Sequence, residues 1–197
     1  MTFLTDDELR SVGFRSVGKD VQLSARASIY GASRIELGDH VRIDDFCILS
    51  SGEGGIRISS FIHLGAYASL IGRGQIVLEE FVNLSGRVSI YSSNDDYSGE
   101  WMTNPVVPRA YTNVDVAPVR LGKHVIVGCG SVVLPGVTIG EGCAVGALSL
   151  VDADCDPFGI YVGVPARRAR ERNRGLLAQE SRLRRELQAS DRGMEDG

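Results

Sequence analysis

The sequence lacks the features that mark several large classes of protein. Its 197 residues carry a net charge of -4, so no excess of basic residues is available to neutralise nucleic-acid phosphates. No apolar run reaches membrane-spanning length. The acidic N-terminal stretch "MTFLTDDELRSVGF" has no apolar core of the kind found in signal peptides. These absences predict a protein without a membrane span and without nucleic acid as its main partner.

Cysteine and aromatic residues are also scarce. Aromatics make up 7% of the chain, whereas glycine occurs 24 times, and this composition favours tightly turned β-structure over a helical bundle. None of the cysteines forms a CxxC pair. With no export signal, we expect reduced thiols and a cytoplasmic location. The cysteines are Cys47, Cys129, Cys143 and Cys155.

What the sequence does contain is a six-residue repeat. Its period fits neither an α-helix nor an ordinary strand, and it predicts a β-solenoid in which three hexads close one triangular coil. The leading aliphatic residues of the last hexads are Leu121, Val127, Val133, Ile139, Val145 and Val151. Earlier sets begin about 20 residues apart, so equivalent residues of successive coils should stack in columns. One predicted column is aliphatic (Leu37, Ile58, Leu78 and Leu121), and one lies at a corner (His40, Phe61, Phe81 and His124).

The repeat divides the chain into three segments. Residues 1–14 form a capping segment, in which Thr5 and Glu8 have the spacing of a helix capping box. Residues 15–165 form the solenoid, which is interrupted by a long loop at 92–118. Residues 166–197 are predicted to be a helical tail, because leucines at 176, 183 and 187 would share one side of a helix.

The segments "VIVGCGSVVLPGVTIGEGCAVGALSLV" and "GIYVGVPARRARE" carry a family resemblance. The chain resembles the hexapeptide-repeat acyltransferases, in the branch of sugar O- and N-acetyltransferases and surface-polysaccharide acetyltransferases. That resemblance covers roughly residues 15–170. It implies an all-β solenoid, namely a left-handed parallel β-helix, which is an exception to the right-handed crossover rule. It further implies acetyl-CoA as the donor and a homotrimer with active sites between subunits.

The resemblance also implies residues that contact the cofactor. Gly65, Cys129 and Ala147 match positions where small residues line the path of the pantetheine arm. Arg167 and Arg170 match positions where the family carries phosphate-binding arginines. Tight turns alone would also explain the three small residues. The family often has Thr-Lys where this chain has an acidic residue and alanine at 152–153, which removes one expected cation.

The long loop is the predicted acceptor site. Asn94, Tyr97 and Trp101 are candidate substrate-binding residues, because a sugar ring can stack on aromatics and bond to amides. In the sugar O-acetyltransferases this loop begins with the catalytic histidine, and the motif places Asp95 at that position. An aspartate is a weaker base than histidine, but an amine is already nucleophilic when neutral. The substitution therefore favours N-acetylation of an amino sugar, possibly nucleotide-linked, with Asp95 and Asp96 as candidate catalytic carboxylates.

Three alternatives remain open in the sequence. O-acetylation could use His63 as another base, with Asn83 beside it in the same column as a further candidate substrate-binding residue. A non-catalytic trimeric scaffold would explain the missing loop histidine. A zinc enzyme with three histidines between subunits fits poorly, since no two histidines form a close pair. We therefore predict no metal.

Overall fold

The chain winds into a left-handed parallel β-helix whose wall consists of three sheets. The structure is a computed structural model, and it describes the backbone of residues 2–195 and the side chains of residues 2–189. Six complete coils each contribute one strand to each sheet, and a seventh coil is partial. The predicted solenoid is confirmed.

The strands are two to five residues long. In chain order they begin with β1 (Ser16–Val17), β2 (Gln22–Leu23), β3 (Ser28–Tyr30), β4 (Ile35–Leu37), β5 (Val41–Ile43), β6 (Ile48–Ser51), β7 (Ile56–Ile58), β8 (Ile62–Leu64), β9 (Ser69–Gly72), β10 (Ile76–Leu78), β11 (Asn83–Leu84) and β12 (Ser89–Tyr91). They continue with β13 (Ser93–Asp95), β14 (Val114–Val116), β15 (Val119–Leu121), β16 (Ile126–Val127), β17 (Val132–Val133), β18 (Thr138–Ile139), β19 (Ala144–Val145), β20 (Leu150–Val151), β21 (Gly159–Val162) and β22 (Arg167–Glu171). The helices are α1 (Asp6–Ser11) and α2 (Gly175–Glu195), with 3-10 turns at Ala32–Arg34 and Arg109–Tyr111.

Strands of successive coils pair in parallel, so each sheet runs the length of the solenoid. The first sheet joins β1, β4, β7, β10, β15 and β18. The second joins β2, β5, β8, β11, β16, β19, β21 and β22, and the third joins β3, β6, β9, β12, β17 and β20. Hairpin strands β13 and β14 form a separate antiparallel pair between the fourth and fifth coils.

The core is a set of aliphatic columns inside the triangle. Ile58 pairs with both Leu37 and Leu78, and Leu78 pairs with Leu121, which confirms the predicted column. All four side chains are buried. Burying one such side chain stabilises a fold by roughly 1.5–3 kcal/mol, so a column repeated over the coils supplies the stability that short strands alone would lack.

The predicted corner column is an unbroken aromatic stack. Ring centroids lie 4.6 Å apart between His40 and Phe61, and 4.9 Å apart in each of the two next pairs, Phe61–Phe81 and Phe81–His124. Each of these four residues has a positive φ between 55° and 62°, because the chain must turn sharply from the first sheet to the second. Stacking offsets the strain of that backbone conformation.

The N-terminal cap is as predicted. Thr5 Oγ1 accepts from the Glu8 backbone N–H, and the Glu8 carboxylate accepts from the Thr5 N–H, which completes the capping box of α1. Leu9 of this helix is buried against the first coils, and Leu4 packs against the same core. The open end of the solenoid is therefore covered.

The C-terminal prediction is wrong for residues 167–171, which form a strand and not the start of the helical tail. β22 pairs antiparallel with β21 and so covers the edge of the last coil, and this pairing outweighs the helix propensity of its arginines. Arg172 then donates from Nη1 to the carbonyl oxygens of His124, Gly142 and Cys143, at 2.9, 3.0 and 3.2 Å. The helix begins only at Gly175.

Helix α2 is attached to the solenoid through Glu180 and through Arg184, whose Nη2 donates to Glu80 Oε2 at 2.7 Å. Glu180 accepts from Lys123 Nζ at 2.6 Å, from His124 Nε2 at 2.7 Å and from Arg184 Nε at 2.7 Å. Since His124 ends the aromatic stack, these bonds connect the helix to the corner column. No helix in the described part of the chain is both long enough and apolar enough to cross a bilayer.

Candidate active site

The interrupting loop leaves the solenoid as a hairpin directly after β12, an inner strand of the third sheet. β13 follows β12 after one residue and pairs with β14, with Asn94 opposite Asp115 and Asp95 opposite Val114. The isolated bridge between Met102 and Thr112 orders the loop farther out. The base of this segment is thus regular structure, which fixes the direction of the side chains on β13.

A cavity of about 490 Å³ lies beside this hairpin, within the size range of small-molecule sites. We call it the hairpin cavity. It brings together three of the candidate residues, Asn94, Asp95 and Tyr97. The remaining lining residues are Ile71, Arg73, Tyr91, Ser93, Asn104, Pro105, Val107, Arg109, Thr112 and Val114.

Asp96 has a different environment from Asp95. Its carboxylate accepts from Ser98 Oγ at 2.8 Å and from the Gly99 N–H at 3.0 Å, with the Trp101 N–H at 3.4 Å. The hydrogen bond from Ser98, with the two backbone bonds, lowers the pKa of Asp96. Asp96 therefore organises a turn, and neither it nor Trp101 lines the hairpin cavity.

A second cavity of about 590 Å³ adjoins the first over the third sheet. We call it the apolar cavity, because its floor is Val132, Leu134 and Leu150. Tyr91, Asn94 and Tyr97 line both cavities, so the two are continuous at these side chains. A polar compartment and an apolar compartment thus meet at the hairpin.

The candidate cofactor residues Gly65, Cys129 and Ala147 lie in turns between the second and third sheets, in different coils. A Cβ on Gly65 would come within 2.7 Å of the Gly86 backbone nitrogen, so the stacking of coils requires glycine there. Cys129 and Ala147 are exposed. Their turns lead directly into the strands that carry Val132 and Leu150, the floor of the apolar cavity.

The candidate phosphate-binding arginines lie on β22 and are exposed. Arg167 Nη1 is 3.1 Å from Asp152 Oδ1 and forms an ion pair with it. Asp152 is the residue that replaces the family's usual threonine. In this chain a carboxylate therefore pairs with Arg167, one of the two arginines predicted to bind phosphate. Arg170 lies opposite Ile160 in the β21–β22 pair.

His63 and Asn83 lie on the second sheet, away from the hairpin cavity. They pair in adjacent strands, and His63 Nδ1 is 3.1 Å from Asn83 Oδ1. His63 Nε2 is 2.9 Å from Asp44 Oδ2. Burial opposes ionisation of Asp44, but hydrogen bonds from Arg42 and His63 keep its pKa below the usual range. Within one chain these residues are not brought together with Asp95.

The three histidines occupy separate places. His40 and His124 lie in the corner stack, and His63 lies on the second sheet. Among the residues that the structure describes, no group of three or more His, Cys, Asp or Glu side chains is arranged to hold a metal ion. The hairpin cavity itself presents carboxylate, amide and guanidinium groups.

The lining residues that sequence reasoning missed include both arginines of the hairpin cavity, Arg73 and Arg109. Arg73 lies in the turn between β9 and β10, where the repeat pattern carries no functional signal. Arg109 follows a proline late in a loop rich in acidic residues, and its isolated charge was the one feature that could have identified it.

Comparison with known proteins establishes the family to which the chain belongs. Residues 118–153 match the family described as bacterial transferase hexapeptide (six repeats). A dTDP-4-amino-4,6-dideoxy-D-glucose acyltransferase from Escherichia coli is 52% identical over 181 residues, which cover 92% of this chain and 94% of that protein. The chain belongs to the hexapeptide-repeat acyltransferases.

Solved hexapeptide-repeat acyltransferases extend this likeness to three dimensions. AntD, an N-acyltransferase from Bacillus cereus solved with dTDP and 3-hydroxybutyryl-CoA, matches with a TM-score of 0.90 and 44% identity, over 94% of this chain and 98% of AntD. An AntD variant solved with dTDP-4-amino-4,6-dideoxyglucose and coenzyme A matches with a TM-score of 0.90 and 43% identity, over the same shares of each chain. The predictions of fold and enzyme class are confirmed.

Proposed function

We propose that this acyltransferase moves an acyl group from acyl-CoA to the amino group of a dTDP-linked 4-amino-4,6-dideoxyhexose, in a pathway that builds a bacterial surface glycan. The observation that carries the proposal is the 52% identity to an E. coli acyltransferase named for that substrate, over nearly its whole length. The hairpin cavity supports it, because a carboxylate stands where the sugar O-acetyltransferases carry a histidine.

The proposed reaction requires one general base. The neutral amine attacks the thioester carbonyl, a C–N bond forms, and the C–S bond breaks to release the CoA thiolate. The nitrogen loses one proton, for which Asp95 is the acceptor in the hairpin cavity, and the thiolate takes up a proton on leaving. Asn94 and Tyr97 border the same cavity and are proposed to orient the sugar.

The apolar cavity is proposed to hold the acyl end of the donor. Its aliphatic floor suits an acyl chain, and it opens onto the hairpin cavity at Tyr91, Asn94 and Tyr97. Cys129 and Ala147 lie one turn away, so a pantetheine arm passing them would reach the third sheet. Gly65, Arg167 and Arg170 remain proposed cofactor contacts on the strength of the family motif.

The experiment that tests the function is a thiol-release assay with purified protein. Acetyl-CoA and 3-hydroxybutyryl-CoA are each offered with dTDP-4-amino-4,6-dideoxyglucose, with the same amino sugar lacking the nucleotide, and with dTDP-glucose. Only the first acceptor should release thiol, and mass spectrometry should find an amide product. Faster turnover with dTDP-glucose would mean O-acylation, and saturable acyl-CoA binding without any transfer would favour a scaffold.

We also propose that the chain forms a homotrimer in the cytoplasm. Closed symmetric assembly is the usual state of oligomeric enzymes, and the family resemblance implies three subunits. Light scattering should then give a mass about three times 21.2 kDa. The cytoplasmic location rests on free thiols, because all four cysteines are unpaired in the structure.

A further inference from the structure

We infer that Arg73 and Arg109 form a binding site for the diphosphate of the nucleotide sugar, at the boundary between two cavities. The inference rests on the proposed function and adds the residues that recognise the nucleotide part of the acceptor. Both arginines line the hairpin cavity, and both also line a neighbouring cavity of about 510 Å³ beside the first and third sheets. We call this neighbour the arginine cavity.

The two guanidinium groups are exposed and available. Among the described side chains, neither Arg73 nor Arg109 forms an ion pair or a side-chain hydrogen bond, in a chain where most exposed arginines pair with carboxylates. Two unpaired guanidinium groups beside one space repel each other. A diphosphate neutralises both, and each guanidinium can bond two of its oxygens.

Two different parts of the fold present these arginines. Arg73 lies in the corner after β9, where its backbone N–H donates to Ser93 Oγ at 3.2 Å and so attaches the corner to the hairpin. Arg109 begins the 3-10 turn Arg109–Tyr111 on the return arm of the loop. A ligand held between them would connect the rigid wall of the solenoid to the outer part of the loop.

The rest of the arginine cavity also favours an anion. A third guanidinium, that of Arg34, lines it and is held in place by bonds to the carbonyl oxygens of Ser51 and Gly52, at 2.6 and 2.7 Å. One carboxylate, Glu53, lines it as well. Three cations against one anion leave the cavity with a positive balance.

The order of charges along the hairpin matches the order of charges in the acceptor. Ser93 Oγ accepts from the Arg73 backbone N–H, and Asp95 lies two residues farther along β13 on the same face, about 7 Å from Ser93. In a 4-amino-4,6-dideoxyhexose attached to a diphosphate at its anomeric carbon, the amine and the phosphates lie on opposite sides of the ring. With the diphosphate at Arg73 and Arg109, the amine points toward Asp95.

The test measures binding of dTDP, dTMP and coenzyme A by isothermal titration to the wild-type protein and to Arg73→Gln and Arg109→Gln. Each substitution should weaken dTDP binding about tenfold, affect dTMP less, and leave coenzyme A binding unchanged. Arg57→Gln is the matched control, because Arg57 is an exposed arginine of the first sheet that pairs with Glu36. It should leave all three affinities unchanged.

Two other outcomes would overturn the inference. Equal losses for dTDP and dTMP would mean that the arginines do not recognise the diphosphate. A loss confined to coenzyme A would assign the site to the diphosphate of the donor. Failure of the inference is distinct from failure of the proposed function: a wild-type enzyme that acylates the dTDP-amino sugar while both variants bind dTDP normally refutes only the arginine site. Arginine-dependent dTDP binding without acyl transfer refutes only the function.

Discussion

Asp95 and Asp96 are adjacent in sequence, but their carboxylates have different surroundings. Asp95 faces the hairpin cavity, whereas Asp96 accepts hydrogen bonds from Ser98 and from the Gly99 backbone. We expect Asp95→Asn to lower kcat by roughly 10²- to 10³-fold, because the amide cannot accept a proton. Asp96→Asn should keep kcat within about threefold, since asparagine also favours such turns. Steady-state rates of both variants with the dTDP-amino sugar measure the difference, and equal losses would contradict this assignment.

Asp152 gives a second prediction at the scale of a single residue. Its ion pair with Arg167 competes with any phosphate that Arg167 binds. An exposed pair of this kind is worth about 0.2–1 kcal/mol, so Asp152→Asn should lower the KM for acyl-CoA by up to about fivefold without changing the KM of the acceptor. Glu171→Gln is the control, because it removes the closer of the two carboxylates that pair with Arg168, which is not a predicted cofactor residue. A similar fall in KM for both variants would indicate a general effect of net charge.

At the scale of the element, helix α2 depends on the charge of Glu180. Burial opposes ionisation of this carboxylate, but hydrogen bonds from Lys123, Arg184 and His124 lower its pKa to about 2, from an ordinary value of 4.5. Its contribution to stability is therefore complete above the unfolded-state pKa, and it is lost as the pH falls from about 5 toward 2. Lowering the pH should weaken both the docking of the helix and the fold.

Urea unfolding between about pH 5 and pH 3 measures this effect. Wild-type protein should lose free energy of unfolding more steeply over this range than Glu180→Gln, which is already destabilised at neutral pH. Glu186→Gln removes an exposed carboxylate of the same helix and should keep the wild-type slope. If Glu180→Gln also keeps that slope, other carboxylates are responsible for the acid sensitivity.

The elements differ in how well the sequence predicts them. The solenoid was predictable because one hexad repeats, and the leading aliphatic residue of each hexad points inward. Leu78, for example, stacks between Ile58 and Leu121. Strand β22 could not be predicted, because its arginines favour a helix and only the pairing with β21 makes this segment a strand. Asp95 was found through the family motif. Arg73 and Arg109 were not found, because a cavity formed by distant segments leaves no spacing signal.

At the scale of the whole molecule, the solenoid separates two sets of polar residues by placing them on different sheets. The hairpin cavity and the apolar cavity border the third sheet, whereas His63 and Asn83 lie on the second. A single chain therefore offers Asp95 as the only one of these candidate bases beside the cavity, within the part that the structure describes. His63 can act on the same substrate only if it approaches from a neighbouring subunit.

The substitution His63→Ala tests whether His63 acts on the substrate of a neighbouring subunit. Both ring nitrogens of His63 already contact protein oxygens, on Asp44 and Asn83, so we expect the variant to keep kcat within about threefold while losing some stability. A loss of kcat comparable to that of Asp95→Asn would contradict this expectation. Unfolding and refolding the two inactive variants together would then identify the site: if His63 serves the partner's Asp95, mixed trimers should regain about a quarter of the wild-type activity. Recovery would place the base across the subunit boundary, and its absence would mean that the loss in His63→Ala comes from a damaged fold.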